Sequence, residues 1–141
     1  MATIVTDELR NAQLGAPTHS VIDFNGDTIA SSLLDETDSG AITTSTVDYD
    51  ELDAATVVHA EEALASLTVG VVGVGIFDAA NTVMSSVSGD AADWLTVHKD
   101  TGTPGTSPVA LGFDSATTGI PVTPNGGDIT ATWAAGGILT I

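Results

Sequence analysis

The stretch Trp94-Leu-Thr-Val-His-Lys-Asp-Thr-Gly-Thr-Pro-Gly-Thr-Ser-Pro-Val-Ala-Leu-Gly-Phe-Asp114 decides the fold. Leu95 and Val97 face one way and Trp94 and Thr96 the other; Val109, Leu111 and Phe113 then line one face of a second run. Alternation with period two marks β-strands, and Gly102, Pro104, Gly105 and Pro108 between the runs mark a turn-rich connection. The same punctuation extends in both directions. Upstream, residues 28–34 set Ile29 and Leu33 on one face with Ser31 between them, just after the tight-turn pair Asn25-Gly26, and Val83 and Val87 flank Ser85. Downstream, Pro121, Pro124 and Asn125-Gly126-Gly127 make turns before Ile129, Ala131 and Trp133 share a face, and a last strand is expected over 138–141.

Two segments read less simply. In 54–67, Ala60-Glu-Glu-Ala-Leu-Ala65 holds strong helix formers while Thr56-Val57-Val58 favours a strand; the reading leans to strand. In 68–77, Val69 and Val71 share one face, and Val72, Val74 and Ile76 continue in the opposite phase, which a bulge near Gly70 or Gly73 reconciles. The uncharged stretch 63–77 is therefore expected as paired core strands; it is shorter than the roughly 20 residues of a membrane span and is broken by glycines. Near the start, Thr6 is a natural N-cap, Asp7 and Glu8 suit the positive end of a helix, and Gly15 and Pro17 stop it after about two turns. With about seven to nine short strands at intervals of roughly 8–12 residues, the chain is expected to be all-β, a β-sandwich or jelly-roll-like single domain with a short N-terminal helix. Residues 1–18 form the expected helix or arm and 19–141 the β-sandwich domain.

Charge narrows the function classes. Nineteen acidic residues stand against Arg10 and Lys99, a formal charge of −17 on 141 residues. Such a chain repels itself in dilute buffer. At roughly 1 M salt the Debye length falls to about 3 Å and the repulsion is screened, so a halophilic setting fits. Disorder is the competing reading of high charge and few aromatics, but 43% apolar residues can build a core. Two basic residues cannot neutralise enough phosphates for direct nucleic-acid binding, and an anionic membrane is disfavoured for the same reason. The absence of Cys excludes a thiolate metal site and a Cys nucleophile. Acidic Asp7 and Glu8 also do not suit a secretory signal.

Candidate sites are few. Asp23-Phe-Asn25-Gly-Asp27 is similar to the start of a calcium loop, yet Gly26 precedes Asp27 and Leu34 stands at the twelfth position; an Asx-type turn is the simpler reading. The run 35–53 holds seven carboxylates, Asp35, Glu36, Asp38, Asp48, Asp50, Glu51 and Asp53, and reads as a solvated loop or strand edge, with a hard-cation cluster at Asp48, Asp50, Glu51 and Asp53 as the sharper alternative. His19, His59 and His98 lack zinc spacing, and His59 and His98 suit exposed or half-buried strand positions. Trp94 and Trp133 are either sheet packing or interface anchors. No nucleophile elbow or phosphate loop is present in the sequence, so the expectation is a protein that is not an enzyme. No catalytic, cofactor-binding or metal residue is assigned, and the only cofactor-like expectation is non-specific cations on the acidic surface.

The turns of the second half carry a resemblance. Phe77-Asp-Ala-Ala80, Ser88-Gly-Asp90, Lys99-Asp-Thr-Gly-Thr103, Thr106-Ser-Pro108, Thr118-Gly-Ile-Pro-Val-Thr-Pro-Asn-Gly-Gly-Asp-Ile-Thr130 and Trp133 resemble a family of small virion structural proteins of tailed bacteriophages and haloarchaeal tailed viruses. The likeness is detailed over the last half of the chain and holds only in outline before it. His98 stands where that family commonly has Tyr, and Val109-Ala110 replaces Leu-Ile, changes that touch strand packing. The resemblance implies a β-rich, capsid-associated or tail-associated virion component; with a charge that keeps it off a packaged genome, the expectation is a capsid decoration or cement subunit on the outer capsid surface. It implies the major capsid protein or other virion proteins as partners, and a homo-oligomer. The alternative it leaves is a turret, spike or tail-associated module that binds the host surface.

Overall fold

The computed structural model describes residues 3–15, 21–35, 42–52, 58–114 and 119–140. It is an all-β fold with one short helix. Ten strands are present among the described residues: β1 (Thr3–Val5), β2 (Ile29–Leu34), β3 (Val58–Ala63), β4 (Thr68–Val69), β5 (Ile76–Asp78), β6 (Thr82–Met84), β7 (Trp94–Lys99), β8 (Val109–Phe113), β9 (Ile129–Ala131) and β10 (Leu139–Thr140). They form a five-stranded antiparallel sheet in the order β1-β8-β7-β2-β3, a three-stranded sheet β10-β5-β4 and a two-stranded pair β6-β9.

The deciding stretch becomes the middle of the large sheet. β7 pairs with β8 through Leu95↔Phe113 and Val97↔Leu111, and with β2 through Leu33↔Leu95. Because side chains alternate, Ile29, Leu33, Leu95, Val97, Leu111 and Phe113 all reach one face, where they pack with Phe77, Met84 and Leu139 of the two smaller sheets and with Ile138 just before β10. The opposite face carries Leu34, Trp94 and Val109 and is covered by Ile42, Tyr49 and Leu52. Gly112 lies on that second face, where a Cβ would come within 2.9 Å of Ile42 Cγ2, so glycine lets the covering segment approach.

The acidic run is therefore more than a solvated loop. Its described part, 42–52, lays Ile42, Tyr49 and Leu52 onto the sheet, and Asp35 and Asp48 are themselves buried. Apolar residues spaced through a charged segment outweigh the charge count, because a sheet with two apolar faces needs two covers.

The helix α1 (Asp7–Gln13) begins where the sequence placed it. The Thr6 hydroxyl accepts from the Leu9 N–H at 3.2 Å and donates to the Val109 carbonyl at 2.6 Å, so one buried side chain caps the helix and ties it to β8. Leu9 enters the main core, which is how so short a helix persists. Ahead of it, β1 pairs with β8 through Thr3↔Phe113, Ile4↔Gly112 and Val5↔Leu111, so the described part of 1–18 is woven into the sheet.

Segment 54–67 resolves as the strand β3 over Val58–Ala63, with 53–57 outside the described residues. Pairing with β2 across Ser32↔Glu61 and Leu33↔Ala60 overrides the helix propensity of Ala60-Glu-Glu-Ala63. In β6 the buried face is Thr82 and Met84, leaving Val83 exposed, the reverse of the expected phase.

Candidate functional site

The covered face of the large sheet gathers the polar side chains. His98 lies 1% exposed and stacks on Tyr49 with ring centroids 4.0 Å apart and planes 8° from parallel. This corrects the expectation of an exposed or half-buried strand position: the short 3-10 turn Tyr49–Glu51 sets Tyr49 over it. Tyr49 Oη donates to Ser32 Oγ at 2.7 Å, and Ser32 Oγ donates to Glu61 Oε2 at 3.4 Å. Glu61 Oε2 lies 3.8 Å from His98 Nε2, beyond hydrogen-bond reach. Burial pushes the His98 pKa down to about 4, against a smaller upward pull from Asp100. The imidazole is thus neutral near pH 7 and the Glu61 approach is not an ion pair.

A cavity of about 340 Å³ opens beside these residues, lined by Tyr49, Glu61, His98, Asp100, Thr103 and Ser107 among others. Its chemistry is that of a hydrogen-bonded bracket. Ser32 Oγ is already engaged, accepting from Tyr49 Oη and donating to Glu61 Oε2. Among the described residues, Thr96 Oγ1 and His98 Nδ1 have no hydrogen-bond partner. The bracket fastens the 42–52 cover to strands β2, β3 and β7.

The other sequence candidates separate. Asp23 Oδ1 accepts from the Asn25 N–H at 2.9 Å, and Asp27 Oδ2 accepts from the Asp23 N–H at 2.8 Å, the geometry of an Asx turn. Asp27 also pairs with Lys99 Nζ at 3.0 Å, and Lys99 donates to the Val21 carbonyl, so this turn is pinned to the end of β7. Glu51 Oε1 accepts from the Val47 and Asp48 N–H groups at 2.9 and 3.1 Å, closing its own turn, while Asp53 lies outside the described residues. His19 also lies outside them, as does the His59 side chain. Among the described residues, no group of three or more His, Asp or Glu is placed to hold a metal ion.

The two tryptophans differ in role. Trp94 is buried under the 42–52 cover. Trp133 is half-buried, tilts against Phe113 at 6.0 Å and donates from Nε1 to Thr82 Oγ1 at 3.3 Å. It borders a second cavity of about 340 Å³ with Leu33, Met84, Leu95, Ile120 and Ile129, and among the described residues no charged side chain lines it. At its edge, Ile138 N–H donates to the Phe77 carbonyl. A Cβ on Gly137, whose φ is +93°, would overlap Ile76 Cγ2 and sit 2.9 Å from that same carbonyl oxygen.

The largest departure from expectation is 68–77. It forms a hairpin, β4 to β5, whose tip stands clear of the core; Val71 is 76% and Val74 98% exposed, and Val69 and Val72 are about half exposed. Gly70 and Gly75 adopt positive φ, which turns the chain back before the valines can join a longer strand. Four exposed valines in a chain this acidic form an apolar projection.

Both cations are held in internal ion pairs, Lys99 with Asp27 and Arg10 with Asp7 at 3.0 Å. Arg10 and Lys99 are thus each engaged by a carboxylate in a chain whose formal charge is −17. Transfer from molar NaCl to dilute buffer is therefore expected to lower the melting temperature by several degrees, followed by circular dichroism. An unchanged value would show that these charges do not strain the fold.

The chain matches no protein-family model and no curated protein at significant similarity. Among the described residues no helix is long and apolar enough to cross a membrane.

Proposed function

We propose that this protein is a non-enzymatic structural subunit of the virion of a halophilic tailed virus, a decoration or cement subunit on the outer capsid surface that contacts the major capsid protein. The observation that carries this reading is the uncharged Val-Gly hairpin projecting from a strongly acidic β domain, a surface fitted to meet protein. The acidic exterior supports an outward position, since a chain of formal charge −17 is repelled by packaged nucleic acid. The turn run that carries the family resemblance supports it too. It is built as a brace: Asp128 Oδ1 accepts from the Ser86 N–H, and Val87 exchanges backbone bonds with Gly126 and Gly127.

Particles assembled without the protein are the test. Adding it back is expected to load a fixed number of copies per shell and to raise the temperature at which the shell opens in low salt. Bare particles that withstand heat and low salt as well as complete ones would overturn the reading.

A further inference from the structure

The cavity on the covered face holds polar groups that the bracket does not use. Tyr49, Glu61, His98, Asp100, Pro104 and Ser107 are in its lining. His98 is only 1% exposed, yet Nδ1 has no hydrogen-bond partner among the described residues and Nε2 stops 3.8 Å from Glu61 Oε2. A buried polar side chain left unsatisfied at a cavity wall points to a ligand. The 3.8 Å gap is too long for a direct bond, but one tetrahedral nitrogen set between the two atoms reaches both at about 2.7–2.9 Å, the length of a charge-assisted hydrogen bond. Asp100 follows β7 directly, and its Oδ1 accepts from the Gly102 N–H at 2.7 Å, which fixes the carboxylate and leaves Oδ2 for another donor. Burial keeps the imidazole neutral near pH 7, so the ring offers a lone pair beside the two carboxylates.

This lining selects its ligand. Two carboxylates in a chain of charge −17 repel an anion. A hard metal ion wants six or more oxygens at short range, and among the described residues no group of three or more His, Asp or Glu is placed to hold one. An ammonium makes longer contacts than a metal does, so it spans more widely set acceptors, and its three N–H donors match two carboxylates and one imidazole nitrogen. The rings of Tyr49 and Pro104 give its methylenes an apolar wall.

We propose that this cavity binds a primary ammonium group on an unbranched aliphatic stem, held by the carboxylates of Glu61 and Asp100 and a ring nitrogen of His98. A free alkylamine and the lysine side chain of another protein share this chemistry. The inference stands apart from the reading of the protein as a shell subunit, because no residue of the 68–77 hairpin lines this cavity.

The test titrates n-butylammonium, which has the stem and head of a lysine side chain, into the whole protein in molar NaCl at pH 7. Tyr49 is the single tyrosine of the chain, so its ring signals in NMR report on this cavity without ambiguity. They are expected to shift saturably, with a Kd of roughly 1 mM. Tetramethylammonium, which has the same charge and no N–H donor, is expected to leave them in place. Glu61→Gln keeps an acceptor for Ser32 and Asp100→Asn keeps one for the Gly102 N–H, and each is expected to weaken binding by roughly tenfold or more with circular dichroism unchanged. Glu62→Gln removes the neighbouring charge, on the other face of β3, and is expected to change nothing. A Gly-Lys-Gly peptide blocked at both ends separates the sources: binding of peptide and butylammonium alike supports a protein lysine as the ligand, and binding of butylammonium alone supports a free amine. Binding of neither overturns the inference. So do equal shifts with tetramethylammonium, full binding by Glu61→Gln and Asp100→Asn, or a loss with Glu62→Gln as large as theirs, since each would reduce the effect to the general attraction of cations to an acidic surface.

Discussion

Lowering the pH from 6.5 towards 4 in molar salt is expected to remove about 3 kcal/mol of stability through His98 alone. In the unfolded chain this imidazole takes up a proton near pH 6.5; in the folded protein, burial holds that uptake off until about pH 4. Between those values the unfolded state binds the extra proton, so stability falls as pH falls. Well above pH 6.5 neither state is protonated and the contribution is complete. His98→Phe keeps a flat ring against Tyr49 and removes the titration together with the unpartnered Nδ1. Urea unfolding of both proteins across this window is expected to show a markedly shallower pH slope for the variant, with no loss at pH 7. Equal slopes would mean that the drop comes from the carboxylates and not from His98.

Leu111→Ala is expected to cost about 2–5 kcal/mol, a large share of the roughly 5–15 kcal/mol that holds a domain together. Leu111 is fully buried in the main core and sits between Val97 of β7 and Val5 of β1, so its removal leaves a void bounded by strands that cannot close on it. Val74→Ala is the matched control, an aliphatic truncation at 98% exposure, and is expected to shift stability by less than about 0.5 kcal/mol. Chemical denaturation of the two variants decides the matter. A Leu111→Ala midpoint close to that of Val74→Ala would refute the placement of β8 at the centre of the core.

The central strands were legible because a half-buried strand writes its two faces into alternate residues, as Leu95 and Val97 and then Leu111 and Phe113 do. The N-cap at Thr6 was legible for a similar local reason, although its second bond, to Val109, was not. What alternation cannot say is whether an apolar run is covered. Residues 68–77 hold the same valines a core strand would, and a bulge was expected near Gly70 or Gly73 where Gly70 and Gly75, at positive φ, mark a turn that leaves the valines outside. His98 was misjudged for the converse reason: the residue that buries it, Tyr49, comes from a segment whose charge suggested a solvated loop. Glu61 and Ser32 gave no signal of their own, since the bracket joining them to Tyr49 exists only once β2, β3 and the 3-10 turn have met.

The Thr6 hydroxyl bonds to a carbonyl 103 residues further along the chain, and β2 finds its neighbour β7 only after more than half of the protein lies between the start and that strand. The large sheet therefore closes only once distant parts of the chain have met; sheets dominated by such distant pairings form on the slow side, in roughly milliseconds to seconds. In that interval Ile29-Ala-Ser-Ser-Leu-Leu34 waits with the edge that takes β7 unpaired, the kind of segment that invites aggregation. The carboxylates that follow it from Asp35 onward repel their counterparts on neighbouring nascent chains. Charge repulsion of this kind keeps unfinished chains apart until the described residues 42–52 of the run cover the sheet.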